Sequence, residues 1–583
     1  MIAILHTENT KFRTFGWVQN PSDFRKLCNV VAVFDQNSPK HKEIKSILIP
    51  SLVSLENGRK DLVAALDAKP LKISYSHLVG TGRSERATAP CNAIIQAAVE
   101  GQGSKQYTDN WTADGYIRWA HCLGFIKYEY VDDTFIITES GLSLSEAYCD
   151  DKHLSVEEHR LLVDAMLSYP PAIRVLSLLA EENAHLTKFE IGKQLGFTGE
   201  SGFTSMPQAV FIRSLSGIIE NGERIKMRNN WEGSSDKYAR MIAAWLIKLG
   251  LVSKESKSIT VTVGDKSYTE NVGQAFVITA QGMTALRRAK GASRHKRISK
   301  TICYEMLATK GADREFLRTR RSLIIKLLSE SIGMVASDIL IAYLEGHNII
   351  TSKKVINDDV QGFLNIGIDI DIDGENYIWR DKINDFVIPV RAEIYQSSLE
   401  QTKDDLREKL THISHDYLSL VDLAYDSTQN RLFEMKTLAL LTEECGYGGL
   451  HLGGSRKPDG IIFTETLNDN YGVIIDTKAY SKGYNLPTSQ VDEMIRYIRE
   501  NQRRIEHENP NKWWELFRYD VQRFYFMFVS GNFIGGYQER IGYIISTTET
   551  KGTVLEICEL LLIANEIKRG TYSVADVEGY IFR

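Results

Sequence analysis

Two stretches decide the fold of the N-terminal two-thirds: Trp119-Ala-His-Cys-Leu-Gly-Phe-Ile126 and Trp245-Leu-Ile-Lys-Leu-Gly-Leu-Val252. Each opens on Trp, reaches Leu-Gly four residues later, and then turns β-like. Phe135-Ile-Ile-Thr-Glu-Ser-Gly141 follows the first and Phe276-Val-Ile-Thr-Ala-Gln-Gly282 the second. The pattern predicts an amphipathic helix closed by Gly, a hairpin, and a further helix opened by a Thr N-cap. Val131-Asp132-Asp133 supplies the first hairpin turn and Gly264-Asp265 the second, longer one. Upstream of the second copy, Leu186-Thr-Lys-Phe-Glu-Ile-Gly-Lys-Gln-Leu-Gly-Phe197 reads as the start of a helix-turn-helix, capped by Thr187, with Ile191 and Leu195 on one face. Helices followed by a two-stranded wing describe winged-helix modules, whose usual business is DNA. Such modules also dock proteins, so the repeat alone leaves both partners open. A weaker third copy is expected over 300–385, its hairpin turning at Asp373-Gly374.

Working outward, 583 residues predict three or four domains, and 22 Phe and 26 Tyr suffice for several cores. No apolar run is long enough for a membrane helix, and the start lacks the features of a signal peptide. The expectation is a soluble cytoplasmic protein. Seven scattered cysteines without a Cys-x-x-Cys pair exclude a zinc ribbon and read as small buried hydrophobes in a reducing compartment. The net charge of −5 conceals a basic run, Arg287, Arg288, Lys290, Arg294, Lys296, Arg297 and Lys300, followed by Arg314, Arg318, Arg320 and Arg321. Such a run is ordinarily a solvated face; at this density it is also how a protein meets phosphates. Asp369, Asp371 and Asp373 imitate half a calcium loop. The position that needs a bidentate Glu is Arg380, so calcium is rejected in favour of a strand entering an Asp-Gly turn. Ser397 to Leu410 is strongly charged and reads as a linker leading into a solvated helix.

The chemistry sits beyond it. Arg456-Lys-Pro-Asp-Gly-Ile-Ile-Phe463, a polar turn at 466–470, and Tyr471-Gly-Val-Ile-Ile-Asp-Thr-Lys-Ala479 are two strands around a hairpin that would bring Asp459 and Asp476 together. Asp476 and Lys478 are two apart on one strand and so share a face. Two carboxylates and the backbone carbonyl of Thr477 suit a hard divalent cation such as Mg²⁺. Lys478 would orient an attacking water or neutralise developing charge. This is the Pro-Asp…(Asp/Glu)-x-Lys nuclease pattern. The bland reading, surface carboxylates with a lysine salt bridge, fits poorly with the apolar run Val473-Ile474-Ile475, which buries the strand up to its charged end.

His451-Leu-Gly-Gly-Ser-Arg-Lys-Pro-Asp-Gly460, Val473-Ile-Ile-Asp-Thr-Lys-Ala-Tyr480 and Gly483-Tyr-Asn-Leu-Pro487 strongly resemble the cleavage domain of the FokI family of type IIS restriction endonucleases. Arg13-Thr-Phe-Gly-Trp-Val-Gln-Asn-Pro21, Tyr169-Pro-Pro-Ala-Ile173 and Asn229-Asn-Trp-Glu-Gly-Ser-Ser-Asp-Lys-Tyr-Ala-Arg240 resemble its recognition region. The resemblance implies an α/β multidomain fold. Tandem winged-helix-like DNA-recognition subdomains (1–150, 151–295, and 296–388 for structure and protein contacts) precede a linker and leading helix at 389–410. A PD-(D/E)xK restriction-endonuclease-like α/β domain at 411–583 follows. It carries over Asp459, Asp476 and Lys478 as the catalytic set. It also implies Gln19, Asn20, Trp111, Asn229, Glu232, Lys237 and Arg240 as base-edge or groove contacts, with Arg86 in a loop that departs from the family pattern. Their chemistry agrees: Asn and Gln suit adenine, Arg and Lys suit guanine, Glu accepts from cytosine.

The implied activity is Mg²⁺-dependent cleavage of both strands of double-stranded DNA at a fixed distance from a GGATG-like site. A second copy of the chain would join transiently through the helix over 489–503, with Asp492 and Arg496 pairing across the dimer. Within one helix the same two residues would make a plain i,i+4 ion pair. There is no phosphate-binding loop for nucleotide-driven translocation, and Tyr169-Pro-Pro-Ala172 is not a methyltransferase motif, so protection of a bacterial host falls to a separate methyltransferase without direct contact. The alternative is a winged-helix DNA-binding protein that is catalytically inactive or nicks one strand. Inactivity predicts loss of Asp459, Asp476 or Lys478, and all three are present.

Overall fold

The computed structural model describes the chain from Ile2 to Phe582 except residues 8–12, 14–15, 82–88, 150, 219, 264–265, 293–295, 310, 392–393 and 466–469. Arg86 and its loop, Thr14 and Phe15, the Gly264-Asp265 tip, Arg294 and most of the 466–470 turn thus lie outside the described residues.

The repeat occurs three times, each copy built in the same order around a three-stranded sheet. In the first, strand Ile73–Ser74, helix Tyr75–Val79 and helix Asn110–Cys122 lead into the hairpin Ile126–Glu129 and Thr134–Ile137. The second has Leu186–Thr187, Lys188–Gly192, Lys237–Lys248, then the long hairpin Val252–Val263 and Lys266–Ile278. The third has Met334–Ala336, Ser337–Glu345, Lys353–Asn365, then Ile370–Asp373 and Asn376–Trp379. The second helix named in each copy is followed by a glycine at positive φ: Gly124 at 78°, Gly250 at 75° and Gly367 at 91°. Only glycine reaches that conformation without strain, and it ends the helix cleanly. Thr138 and Thr279 accept from the backbone N–H of Gly141 and Gly282 at 3.1 and 3.0 Å, as the N-cap reading requires. A side chain on Gly141 or Gly282 would strike the carbonyl oxygen of Phe125 or Leu251, so both copies also need glycine for close packing. The repeated tryptophans meet: the rings of Trp119 and Trp245 stack at 5.0 Å and fuse the first two modules into one core.

The C-terminal unit is a five-stranded mixed sheet in the order Gly448–His451, Gly460–Phe463, Tyr471–Lys478, Arg523–Ser530, Gly552–Glu556. The first three strands pair antiparallel and the last three parallel. Alternation along the third strand sends Val473 and Ile475 to one face, against Leu438 and Leu560. Ile474 goes to the other, against Val491 and Met494. Helices therefore cover both faces, and the strand is hydrophobic throughout until Asp476.

The charged segments depart from expectation. Arg318, Arg320 and Arg321 are fully buried in the helix Arg314–Glu330. Arg320 and Arg321 share Asp359 at 2.7 and 2.6 Å, and Arg321 also reaches Glu200. In the preceding run Arg297 pairs with Asp369, Lys300 with Asp381, and Arg288 with Asp164. These cations are buried or paired within the protein, whereas Arg287, Lys290 and Lys296 of the same run are exposed. The helix Ser398–Lys409 is solvated on one face only: Gln401, Asp405, Glu408 and Lys409 are exposed, whereas Glu400, Lys403, Leu406 and Arg407 are buried. Lys403 contacts Glu400 at 3.1 Å and Asp422 at 3.0 Å, and Arg407 contacts Asp358 at 3.2 Å. A buried charge persists where partners surround it, and here they come from both neighbouring domains. Five of the seven cysteines are buried. Among the described residues no single helix is long and apolar enough to cross a membrane.

Candidate active site

Asp459 ends the loop before strand Gly460–Phe463, and Gly460 pairs with Ile475. The next residues outward, Asp459 and Asp476, therefore face each other where the two strands part. Past that point Asp459 takes over the ladder: its Oδ2 accepts from the Thr477 backbone N–H at 2.7 Å and from its hydroxyl at 3.2 Å. The N–H and C=O of one strand residue address the same neighbour, so the Thr477 carbonyl also faces the Asp459 side. Lys478 Nζ lies 2.9 Å from Asp476 and 3.9 Å from Asp459. Asp476 is 5% exposed. Burial and then the charge of Asp459 push its carboxyl well above the usual range. Burial works against the Lys478 ammonium, but Asp476 and Asp459 outweigh it and its proton is held more tightly than usual. Two carboxylates and a carbonyl against one ammonium leave an oxygen-rich pocket whose charge a divalent cation would balance.

A third carboxylate escaped the sequence reading. Glu434, on helix Asn430–Ala439, lies 2.9 Å from Nε2 of the buried His451, and its charge also reinforces protonation of Lys478. Nothing in the strand motif points to a helix 25 residues upstream; only its packing against the sheet brings it in.

The residues implied for DNA reading fall into two groups. Trp111 is the second residue of helix Asn110–Cys122 and is 46% exposed. Lys237 and Arg240 open helix Lys237–Lys248, the equivalent element of the second module. The N-terminal turn of this helix is the part a helix-turn-helix presents to base edges. Asn20 packs its backbone on the first helix, because a side chain on Gly115 would meet the Asn20 carbonyl oxygen. The next residues are fixed to the second: Trp245 Nε1 donates to the Pro21 carbonyl at 3.0 Å and Lys248 to that of Ser22 at 2.6 Å. Gln19 and Lys237 line one cleft, whose far wall is Asp426 to Leu432 of the C-terminal domain. Asn20 to Ser22 thus bridge the two helices.

Asn229 and Glu232 lie on the preceding helix Asn221–Ser234. Asn229 is exposed. Glu232 is 7% exposed and accepts from the Gln274 backbone N–H at 2.9 Å, committed to the wing. Lys188, entirely buried, donates to the carbonyls of Glu232 and Ser235 and pins the turn between these helices. Burial brings its pKa down to about 8, against the opposing charges of Asp236 and Glu232. Sequence reading missed Lys188, because its carbonyl acceptors lie some 45 residues away.

On helix Thr488–Arg503, Asp492 is exposed, and Arg496 contacts Glu493 at 3.0 Å and Glu500 at 3.7 Å. The i,i+4 pair with Asp492 does not form.

Fold and site together define a type II restriction endonuclease with separate recognition and cleavage domains. The family models for FokI recognition subdomains 1 and 2 match residues 13–147 and 158–294, that for the D3 domain 307–375, and that for the cleavage domain 396–583. The chain is 47% identical over 573 residues to the type II restriction enzyme FokI of Planomicrobium okeanokoites, covering 97% of this chain and 98% of that protein. It is 33% identical to the type II restriction enzyme StsI of Streptococcus sanguinis, covering 97% and 94%. Solved structures of restriction endonuclease FokI and of FokI bound to DNA superpose with TM-scores of 0.90 and 0.91 at 46% identity, each covering 98% of this chain and 99% of theirs. The chain belongs to the FokI family of restriction endonucleases.

Proposed function

We propose that this chain is a Mg²⁺-dependent type IIS endonuclease. It reads a short asymmetric GGATG-like site in double-stranded DNA through its first two modules and hydrolyses both strands at a fixed distance outside that site. The observation that carries the reading is the convergence of Asp459, Asp476 and Lys478 at the frayed end of a buried strand pair. The likeness to a DNA-bound FokI structure supports double-stranded DNA as the partner.

Asp459, Asp476 and the Thr477 carbonyl are the residues that would hold Mg²⁺, which when bound supplies Lewis-acid stabilisation of charge on the scissile phosphate. The chain's own groups do the rest. The Thr477 N–H and hydroxyl fix the Asp459 carboxylate, so its second oxygen keeps one direction. Lys478 stays protonated beside Asp476; as a donor it orients the attacking water and offsets charge as the phosphate becomes pentacoordinate. Glu434, through His451, keeps the negative field that favours the ammonium. One such site cuts one strand. Exposed Asp492, unpaired with Arg496 inside its helix, supports pairing of two cleavage domains across a transient dimer. A separate methyltransferase would protect host DNA.

The test is run-off mapping of both strands on DNA carrying GGATG and its single-base variants, with Mg²⁺ and with EDTA. Staggered cuts at one offset, only from GGATG and only with Mg²⁺, are expected. Cuts tied to another pentamer would keep the enzyme class and remove the carried-over base contacts; retained binding without cutting would remove the nuclease reading.

A further inference from the structure

Away from the nuclease, one buried cluster gathers a nitrogen, a sulfur and an oxygen from distant parts of the chain. His121, near the end of helix Asn110–Cys122, brings Nε2 to 3.3 Å from Oε2 of Glu305. With the Cys303 thiol the three ligand atoms all lie within 4.8 Å of one another. Atoms bound tetrahedrally to one zinc ion sit roughly 3.3–3.8 Å apart, so the trio needs to close by about an ångström.

The outer contacts are those such a site requires. His121 Nδ1 is 3.3 Å from the Ile126 carbonyl oxygen; donation there fixes the ring and leaves Nε2, which faces Glu305, as the nitrogen that would give up its proton to a metal. Glu305 spends Oε1 on the Tyr130 hydroxyl at 2.9 Å, which fixes the carboxylate and turns Oε2 inward. A cavity of about 20 Å³, lined by Trp17, His121, Cys122, Cys303 and Glu305, adjoins the cluster and has room for one water as a fourth ligand. The donor set discriminates: Mg²⁺ and Ca²⁺ demand oxygens, whereas zinc accepts thiolate, imidazole and carboxylate together.

We propose that His121, Cys303 and Glu305 form a zinc site that staples the first recognition module to the segment leading into the third. Binding replaces the Cys303 thiol proton and any proton on His121 Nε2, both released to solvent. The site is buried, so its role is structural: it holds Glu305 and its neighbours against the helix whose first turn carries Trp111. Its ligands are 182 residues apart in sequence (Cys303 against His121), which is why no metal motif announces it.

The test uses the full-length protein expressed with zinc and dialysed against metal-free buffer. Elemental analysis is expected to find about one zinc per chain. Exchange into Co²⁺ should give a thiolate-to-cobalt charge-transfer band in the near ultraviolet, which the nuclease site, having no thiol, cannot produce. Cys303→Ala should lose both signals with its circular dichroism intact, and Glu305→Gln should bind Co²⁺ at least tenfold more weakly. Wild-type protein with no stoichiometric zinc and no cobalt band overturns the proposal whatever the variants do. So does a Cys303→Ala protein that keeps both, leaving a buried His121–Glu305 ion pair with a neutral thiol beside it.

Discussion

Lys478 and Asp476 illustrate how much a single side chain does when its environment is dry. Lys478→Ala removes the one cation that balances two facing carboxylates. Cleavage should fall by at least 10²-fold while gel-shift affinity for the site is retained, since removing one charge-stabilising donor costs on the order of 10²–10³ in rate. A loss of binding of the same size would mean that Lys478 only holds the domain together. The residues proposed to read DNA divide at the same scale. Lys237→Ala, at an exposed first-turn position, should weaken binding by about 1–3 kcal/mol and relax preference at one base pair in a competition assay. Glu232→Gln is expected to leave base preference unchanged and lower thermal stability, because its carboxylate serves Gln274. A changed base preference in that variant would return Glu232 to the reading set.

Among the elements, the helix Ser398–Lys409 carries a pH dependence of definite sign. Burial alone would raise the pKa of Glu400, but the charges of Lys403, Arg407 and Arg320 outweigh it and bring it down to about 2. A carboxyl whose folded pKa is depressed stabilises above its unfolded value and loses that stabilisation as pH falls toward the folded one. The window is therefore from about 4.5 down to about 2, and the stake is roughly 3 kcal/mol. Urea midpoints should fall between pH 5 and pH 3, and Glu400→Gln should flatten that slope; an equal slope in the variant would place the acid sensitivity elsewhere. The helix Thr488–Arg503 makes a different prediction. If Asp492 and Arg496 pair across two copies, Asp492→Arg should slow double-strand cleavage at least tenfold, and mixing it with Arg496→Asp should restore it. Failure of the mixture to recover would remove the proposed pairing.

These elements also mark the boundary of what a sequence discloses. The three modules were legible because caps, positive-φ glycines and strand alternation are local signals, each within one turn of the residue that causes it. Asp459, Asp476 and Lys478 were legible because a short hairpin joins them. The burial of Arg320, Arg321, Lys403 and Arg407 was not, since charge reads as exposure until the partners arrive from far along the chain: Asp359 from a later helix of the same module, Glu200 from the second module and Asp422 from the cleavage domain. Glu434 and Glu232 failed in the same way: one belongs to the site and the other to the wing through contacts no spacing encodes.

For the whole molecule, the decisive feature is that the cleavage domain is packed against the second recognition module. Phe189, Met206, Val210, Phe211 and Leu215 share one buried cluster with Leu438, Leu441 and Tyr447. Helix Gln208–Ser216 lies along the edge strand Gly448–His451, covering backbone groups that an open edge would expose. Arg213, buried, donates to the Gly449 carbonyl at 3.1 Å and to Thr442 Oγ1 at 3.2 Å. Trp231 packs edge-on against His451 at 5.5 Å under Arg431. This interface runs to within one residue pair of the proposed catalytic cluster, because His451 is the partner of Glu434. If the proposed cutting at a distance from the recognition site requires this interface to open, its strength sets how often the nuclease is free without DNA. Losing the Arg213 contacts should cost the closed form about 1–3 kcal/mol, or roughly tenfold in open population per 1.4 kcal/mol. Arg213→Ala should therefore nick DNA lacking the recognition site several-fold faster than wild type and show a larger radius of gyration in small-angle scattering. Those two effects must appear together: expansion without off-site nicking would mean that the second copy, and not the packed interface, limits cleavage.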